Sequence, residues 1–409
     1  MDRVTALRVE LQEVLEGCEK WLIQLPSVGL DHQLTLLSDV DDDVRFIQRL
    51  RTRAASALIN VAMLGAYSSG KTFLISGLQR KLEYAPVVGE GRNDDKYIGV
   101  LPSASRPTTA CPASVVPVEA AGTYDTSERG FMRVRFTDSE EWESIGNSPP
   151  PVIVAAYATQ DQNLIITGRP RQHRNRVVAE IEVLLSNVPL PAKLYDLPGY
   201  GSPTAEHAQI IRDSMADADC FIYVTQATHT LSDTDLKLIK VLHDHHTHLG
   251  TRVVWVVTGI DRASDLELDD RPQWEATISR DNEYLRENFR LPDQRPDTGF
   301  IGRGFMPVSP ALEARGVWHL EQGETAAGNR LIAASRMKDL RAVLTDLIES
   351  DTGHQHIRQV AAEAQKLILP RHRVLTEILD AAMLPLNRLG SERSHARLVV
   401  LRRPGRGSG

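Results

Sequence analysis

The chain has few cysteines, no long apolar run and no excess of positive charge. Its 409 residues include three cysteines, Cys18, Cys111 and Cys220, which lie far apart and form no Cys-x-x-Cys pair. This scarcity offers no disulfide framework or zinc site and favours a reducing compartment, the cytoplasm. No stretch approaches the ~18 consecutive apolar residues of a membrane-spanning helix, and the first residues lack the apolar core of a signal peptide. The net charge of −7 argues against broad electrostatic binding to nucleic acid.

What the chain does contain is a phosphate-binding motif. Residues 65–72 read Gly-Ala-Tyr-Ser-Ser-Gly-Lys-Thr, which has the spacing G-x-x-x-x-G-K-T. The apolar run 58–64 predicts a buried strand before the motif, and residues 72–78 predict a helix after it. In this setting the glycines let backbone N–H groups surround a β-phosphate, and the helix N-terminus adds partial positive charge. Lys71 is expected to reach the β- and γ-phosphates, and Thr72 to bind Mg²⁺.

Four further segments complete a nucleotide-binding pattern. Asp196 follows a predicted strand and begins Asp-Leu-Pro-Gly, where a carboxylate can hold Mg²⁺ and the N–H of Gly199 can bond a γ-phosphate. Thr109, in a proline- and threonine-rich connection, can give Mg²⁺ a second hydroxyl. Asp261 follows another predicted strand and can accept hydrogen bonds from guanine that adenine does not offer. Ser309 lies where a further strand can end. Each segment alone is an ordinary turn, but their order and spacing together predict nucleotide binding.

Apolar runs and amphipathic segments predict an α/β fold. Strands are expected at 113–118, 131–136, 181–185, 192–195, 220–224 and 253–257. The last two are hydrophobic almost throughout and are separated by a predicted helix over 233–243, which is typical of a doubly wound, mostly parallel sheet buried on both faces.

Helices are expected near both chain ends, at 2–24, 41–55, 331–349 and 354–384, the last interrupted by Pro370. Residues 121–174 are interpreted as an elaborated loop or insertion, with Glu140, Glu141 and Glu143 starting a solvated helix. The histidine-rich tract 243–248 is expected at the C-terminal end of a helix rather than around a metal ion.

With these motifs in place, roughly residues 55–315 resemble the dynamin-like GTPases, especially their bacterial branch. The resemblance rests on Gly65–Lys71, Leu101-Pro102 leading into Pro107–Ala110, Glu180–Val183, Tyr195–Tyr200, Ala218–Val224 and Leu231–Asp235. It implies that Ser68 contacts the bridging β–γ oxygen, that Thr109 binds Mg²⁺ and orients the attacking water, and that Gly199 helps to hold that water. The implied catalytic residues are Ser68, Lys71, Thr109 and Gly199. The expected nucleotide-binding residues are Gly65, Ser68, Ser69, Gly70, Lys71, Thr72, Thr258, Asp261 and Ser309. The expected Mg²⁺ ligands are Thr72, Thr109 and Asp196.

The sequence departs from this family at two positions. Ala66 stands where animal dynamins carry an acid that helps to build a monovalent-cation site, which argues against cation-assisted hydrolysis. Gly259 replaces the lysine of the Thr/Asn-Lys-x-Asp motif, whose stem packs on the guanine ring. Losing that contact is expected to weaken nucleotide affinity and to blur guanine selectivity, although Asp261 still favours GTP. Hydrolysis is expected to be slow.

The resemblance also suggests a domain organisation. We expect N-terminal neck helices over 1–54, a GTPase domain over 55–325, C-terminal neck helices with a truncated stalk over 326–390, and a disordered tail over 391–409. The two chain ends would then form one short helical bundle.

The favoured function is a cytoplasmic GTPase that converts Mg·GTP to GDP and phosphate and associates, depending on nucleotide, with a second copy or a second dynamin-like protein. Its expected role is membrane remodelling or maintenance, at the periphery of the inner membrane face. The alternative is a GTP-dependent interaction switch that binds no lipid, within a regulatory or defence assembly, which the short helical part favours. A third interpretation, an ATPase, depends on Gly259 alone.

Overall fold

The structure, a computed structural model, describes most of the chain. The described residues are 3–24, 40–56, 58–66, 68–86, 96–102, 111–118, 130–139, 141–147, 149–159, 161–197, 215, 217–266, 271–350, 356–373 and 376. The chain divides into two compact units, one of residues 1–55 with 360–409 and one of residues 56–359. Residues 326–359, which we had assigned to the C-terminal neck, lie in the larger unit. The functional division into neck and GTPase domain remains a prediction.

The smaller unit is helical in its described part. Helices α1 (Arg3–Gln24) and α2 (Val40–Ala55) confirm the two predicted N-terminal helices, and residues 360–373 are also helical. Pro370 was expected to interrupt this last helix, and that prediction is wrong. The next residue, Arg371, forms an ion pair with buried Asp43 of α2, so a tertiary contact holds the turn that follows the proline.

The larger unit contains the sheet. Its strands are β1 (Ile59–Leu64), β2 (Glu83–Ala85), β3 (Lys96–Ile98), β4 (Ala113–Pro117), β5 (Phe131–Phe136), β6 (Trp142–Asn147), β7 (Val178–Leu185), β8 (Ala192–Asp196), β9 (Cys220–Gln226), β10 (Arg252–Thr258) and β11 (Met306–Pro307). Its helices are α3 (Lys71–Leu78), α4 (Pro151–Ala158), α5 (Gln162–Gly168), α6 (Asp233–Leu249), α7 (Gln273–Asn288), α8 (Thr298–Ile301), α9 (Pro310–Glu321), α10 (Thr325–Ser335) and α11 (Met337–Ser350). All the predicted strands are confirmed.

Nine of the strands, within the described residues, form one sheet in the order β11-β10-β9-β1-β8-β4-β7-β5-β6. The five from β11 to β8 are parallel. Beyond them β4 is antiparallel to β8, β7 is parallel to β4, and β5 and β6 form an antiparallel edge. The expected mostly parallel sheet is therefore confirmed, with an added antiparallel edge.

Apolar side chains cover both faces of the central strands. In β1, Val61 and Met63 join a core that includes residues of α3 and α11, whereas Ala62 and Leu64 join a second core with residues of α6 and α7. This alternation places β1 between two helical layers.

Because the five strands from β11 to β8 are parallel, their carboxyl ends meet at one edge of the sheet, where such folds bind ligands.

The far end of α3 is fixed by a buried arginine. Arg341 donates to the carbonyl oxygens of Gly77, at 2.7 Å, and Leu78, at 3.0 Å. It also forms an ion pair with Glu313 of α9, and both side chains are buried. The helix that begins at the phosphate-binding motif is thus anchored to α9 and α11.

The single helix predicted over 331–349 is wrong. Helices α10 and α11 are separated at Arg336, which has the left-handed φ of 54°. The carbonyl oxygen of Ser335 accepts a hydrogen bond of 2.9 Å from the backbone N–H of Ser309. This long-range contact uses a carbonyl that a continuous helix would have kept for itself.

The interpretation of residues 121–174 as an elaborated loop is wrong in the described part, which contains β5, β6, α4 and α5. The alternative interpretation, an insertion, stays a prediction, and residues 121–129 lie outside the described residues. Pro150 is the N-cap of α4 and Pro151 follows at its first position, where a proline loses no hydrogen bond. Glu143 lies on β6 and not in a helix start, and it accepts a hydrogen bond from Arg176. Glu140 lies outside the described residues.

Candidate nucleotide-binding site

The phosphate-binding loop connects β1 to α3. Gly65 has a φ of 150°, and a Cβ atom at this position would lie 2.1 Å from the carbonyl oxygen of Val224 in β9. Gly70, which caps α3, has a φ of 90°, and Ser68 has the left-handed φ of 63°. The glycines are needed because the loop passes directly against β9 and turns sharply into the helix.

Lys71 lies within this loop. Its side chain is buried, and its Nζ donates to the carbonyl oxygens of Gly65, at 3.2 Å, and Ala66, at 3.1 Å. Burial lowers the pKa of Lys71, while the negative charge of Asp196 opposes this shift. The loop therefore holds a cationic donor at the start of a helix, where a phosphate would be attracted.

Thr72 and Asp196 are in contact although 124 residues separate them. The Thr72 Oγ1 donates to the Asp196 Oδ2 at 2.5 Å. The contact follows from the sheet, because β1 and β8 are parallel neighbours with Met63 in register with Asp196. Burial raises the pKa of the Asp196 carboxyl, and the Lys71 charge and the Thr72 hydroxyl oppose that rise. A hydroxyl and a carboxylate are thus paired beside the loop.

A second pair lies at the ends of β10 and β11. The Ser309 Oγ donates to the Asp261 Oδ1 at 2.6 Å, and Ser309 also caps α9 by accepting from the N–H of Leu312. The Thr258 hydroxyl lies 2.9 Å from the carbonyl oxygen of Ser69. Thr258 therefore connects the end of β10 to the phosphate-binding loop.

The predicted residues fall into three groups. Those around the loop are Gly65, Ser68, Ser69, Gly70, Lys71, Thr72, Asp196 and Thr258. Asp261 and Ser309 form the second pair. Thr109 and Gly199 lie outside the described residues, so their roles stay predictions.

Sequence reasoning missed Gln226. This last residue of β9 donates from Nε2 to the carbonyl oxygen of Ser68, and the Thr228 Oγ1 lies 3.4 Å from its Oε1. Gln226 thereby restrains the loop at its left-handed residue. The available signal was its position at the carboxyl end of the strand next to β1.

The histidine tract lies at the C-terminal end of α6, as predicted. The His246 Nδ1 lies 2.9 Å from the carbonyl oxygen of Thr251, and the rings of His243 and His246 pack against Phe300. Over the described part of the chain, no group of three or more histidine, cysteine, aspartate or glutamate side chains is arranged to hold a metal ion. No helix within the same residues is both long and apolar enough to cross a bilayer.

The residues present fit Mg²⁺ and a nucleotide phosphate. The Ser69 Oγ is buried and has no hydrogen-bond partner in the described structure, and the loop backbone surrounds the Lys71 ammonium. Hydroxyl and carboxylate oxygens such as those of Thr72 and Asp196 are the ligand types that Mg²⁺ prefers.

Comparison with known proteins gives one family match. Residues 98–260 match the family model described as the dynamin family; this range includes Asp196 and begins after the phosphate-binding loop. No curated protein matches the chain. Residues 98–260, which are less than half of the chain, are therefore similar to the dynamin family.

Solved structures resemble the chain at low identity. One belongs to an oligomerised bacterial dynamin pair described as a mechanism for long-range sensing and tethering of membranes, with 14% identity, a TM-score of 0.43, and coverage of 97% of this chain and 51% of that one. LeoA, a bacterial dynamin GTPase from ETEC, has 16% identity, a TM-score of 0.38, and coverage of 98% and 56%. Era of Aquifex aeolicus bound to GDP·AlF4⁻ has 12% identity, a TM-score of 0.28, and coverage of 66% and 55%. The chain thus spans a little over half the length of these solved chains.

Proposed function

We propose that the chain hydrolyses Mg·GTP to GDP and phosphate. The observation that carries this proposal is the contact between Thr72 and Asp196 beside Lys71. It unites two motifs 124 residues apart at the carboxyl edge of a parallel sheet, which is where a phosphate, Mg²⁺ and the groups that sense them must meet.

Each side chain then has a defined task. The Lys71 ammonium would exchange the two loop carbonyls for phosphate oxygens and stabilise the charge of the transferred group. Thr72 and Asp196 would hold Mg²⁺, which when bound neutralises charge between the β- and γ-phosphates. Ser68, held by Gln226, would face the bridging oxygen. Thr109 would supply a second hydroxyl ligand and orient water.

Asp261 would select the base. A carboxylate accepts hydrogen bonds from the N1–H and the 2-amino group of guanine, and Ser309 already fixes its Oδ1 at 2.6 Å. Residue 259 is a glycine with a φ of 72°, so it has no side chain to pack on the base. In the described structure, no neighbouring atom lies within 4 Å of the position that its Cβ would take. We therefore expect guanine selectivity with modest affinity.

Calorimetric titration of GTP, GDP and ATP with Mg²⁺ tests these assignments. Lys71→Ala is expected to weaken GTP binding about 10- to 100-fold, because a charge-assisted hydrogen bond contributes roughly 1.5–3 kcal/mol. Lys81→Ala, which removes a lysine just after α3, is the matched control and should bind like the wild type. Equal affinity for ATP and GTP would contradict the role of Asp261, and unchanged GTP binding by Lys71→Ala would refute the site itself.

We further propose that nucleotide controls association of this domain with a second copy or a second dynamin-like protein, and that the output is membrane remodelling or maintenance at the inner membrane face. The dynamin-family match supports both proposals. Co-sedimentation with liposomes in GTP, GDP and no nucleotide tests the second. Binding that depends on GTP supports it, whereas absence of binding in every state favours the GTP-dependent interaction switch.

A further inference from the structure

A cavity lies beside β6, at the end of the sheet that is five strand positions from β1. Its volume is about 470 Å³. One wall is the edge strand β6, of which residues 144–147 line the cavity, and within the described residues β6 pairs with β5 alone. The other walls are the face of α4 with Ile153 and Tyr157 and the segment containing Gln172 and His173. The cavity is therefore bounded on one side by an edge strand of the sheet.

The walls are fixed by one buried arginine. Arg169 donates to the carbonyl oxygens of Ala156 at 2.7 Å, Tyr157 at 3.0 Å, His173 at 3.4 Å and Arg176 at 3.1 Å. Its guanidinium also lies 5.0 Å from the centre of the Tyr157 ring. The backbone on two sides of the cavity is thus held by a single side chain, which makes the cavity a preformed one.

A hydrogen-bonded chain forms the floor. The Tyr157 hydroxyl lies 2.7 Å from the His173 Nδ1, and the His173 Nε2 lies 3.2 Å from the Glu143 Oε2. The tyrosine and the histidine are buried. In the His173 tautomer that carries its proton on Nε2, the Nε2–H donates a hydrogen bond to Glu143 and Nδ1 accepts one from the Tyr157 hydroxyl. The acceptor sites of that hydroxyl are then available to a ligand N–H.

Among the described residues that line the cavity, none is lysine, arginine, aspartate or glutamate. Glu143, behind the floor, is paired with Arg176 at 2.5 Å. A phosphate, an anionic lipid headgroup or a cationic ligand would therefore find no lysine, arginine or carboxylate counter-ion among these residues. The exposed polar groups are Ser144 and the side-chain amides of Asn147 and Gln172, which both donate and accept hydrogen bonds.

From these observations we infer that the cavity along β6 binds an extended, uncharged peptide segment of a second protein chain. The edge of β6 offers main-chain donors and acceptors in the manner of strand addition, and alternate side chains of the peptide would enter the space between Ile153 and Tyr157. The neutral lining selects an uncharged segment. This site is separate from the nucleotide-binding residues and does not depend on the proposed hydrolysis.

The test uses a display library of random twelve-residue peptides selected on the full chain and counter-selected on Ile153→Arg, whose side chain would fill the cavity. We expect enrichment of peptides poor in charged residues that bind the wild type. Ile153→Arg should weaken their binding at least about tenfold, and N-methylation at alternate peptide positions should abolish it, as strand addition requires. Ile166→Arg, at an exposed isoleucine of neighbouring α5, is the matched control and should bind like the wild type.

Several results would overturn the inference. They are absence of enrichment over the counter-selection, enrichment of strongly charged peptides, and binding that tolerates every N-methylation. If Ile153→Arg does not fold, as judged by its thermal melt, the double variant Asn147→Ala/Gln172→Ala takes its place, because both side chains are exposed. Binding unchanged in that variant would equally refute the site.

Discussion

We expect Asp281 to make the stability of the larger unit depend on pH. This residue of α7 is 1% exposed, and its Oδ2 is buried without a hydrogen-bond partner in the described structure. Its Oδ1 lies 3.4 Å from the Arg280 Nε. Burial raises the pKa of Asp281 to about 6; the Arg280 charge opposes the shift and the Asp235 charge adds to it. The ionised form is therefore disfavoured in the folded state.

The size of the effect follows from linkage. The folded pKa of Asp281 exceeds the ordinary value of about 3.9. Its protonated carboxyl therefore makes its full contribution to the free energy of unfolding below about pH 4, and this contribution is lost as the pH rises through about 6. Asp281→Asn is neutral at every pH. It should therefore be more stable than the wild type by about 3 kcal/mol at pH 7.5 and by about 1.5 kcal/mol at pH 5.

Urea denaturation of both proteins at the two pH values measures this difference. Asp244→Asn, at an exposed aspartate of α6, controls for the change in net charge and should show no comparable pH dependence. An Asp281→Asn variant whose stability advantage does not grow between pH 5 and pH 7.5, or that is less stable than the wild type at pH 7.5, would contradict a raised pKa of Asp281 in the folded state.

Three further predictions concern the loop and its anchor. Gln226→Glu replaces the donor to the Ser68 carbonyl with a repelling carboxylate. In steady-state kinetics, the similarly sized Gln226→Met is expected to lower kcat about 2- to 10-fold, and Gln226→Glu to lower it further. Equal kcat values for the two variants would argue against a positioning role of Gln226. Arg341→Met leaves Glu313 buried and unpaired, which should lower the free energy of unfolding by about 3–5 kcal/mol in urea denaturation. The double variant Arg341→Met/Glu313→Leu should recover most of that free energy, and a double variant as unstable as Arg341→Met would contradict the prediction. Gly65→Ala would place its Cβ 2.1 Å from a backbone oxygen, so calorimetry should detect no GTP binding, and wild-type affinity would show that the loop adapts.

The sequence was informative where structure is set locally. Residues 220–224 of the buried strand β9 are apolar throughout, and the phosphate-binding loop owes its shape to glycines at fixed spacing. Strand β6 was missed because Trp-Glu-Ser-Ile-Gly-Asn does not alternate apolar and polar residues, and its pairing shifts by a bulge at Ile145. Consecutive prolines are typical of loops, yet here Pro150 caps α4 and Pro151 is its first residue.

Long-range contacts explain the remaining differences. The break at Arg336 has no glycine or proline to announce it and follows from the bond between Ser309 and Ser335. Gln226 acts on a residue 158 positions away, and only the neighbouring positions of β9 and β1 in the sheet bring the two together. No local pattern contains this information.

We propose that the residues around Lys71, Thr72 and Asp196 hydrolyse Mg·GTP. The decisive measurement is Mg²⁺-dependent phosphate release from GTP and from ATP, made side by side over a range of protein concentrations. We predict turnover of GTP in preference to ATP, loss of turnover when Mg²⁺ is chelated, and a rate per molecule that rises with protein concentration because the domains associate. Preferential turnover of ATP, or GTP turnover that persists without Mg²⁺, would contradict this account.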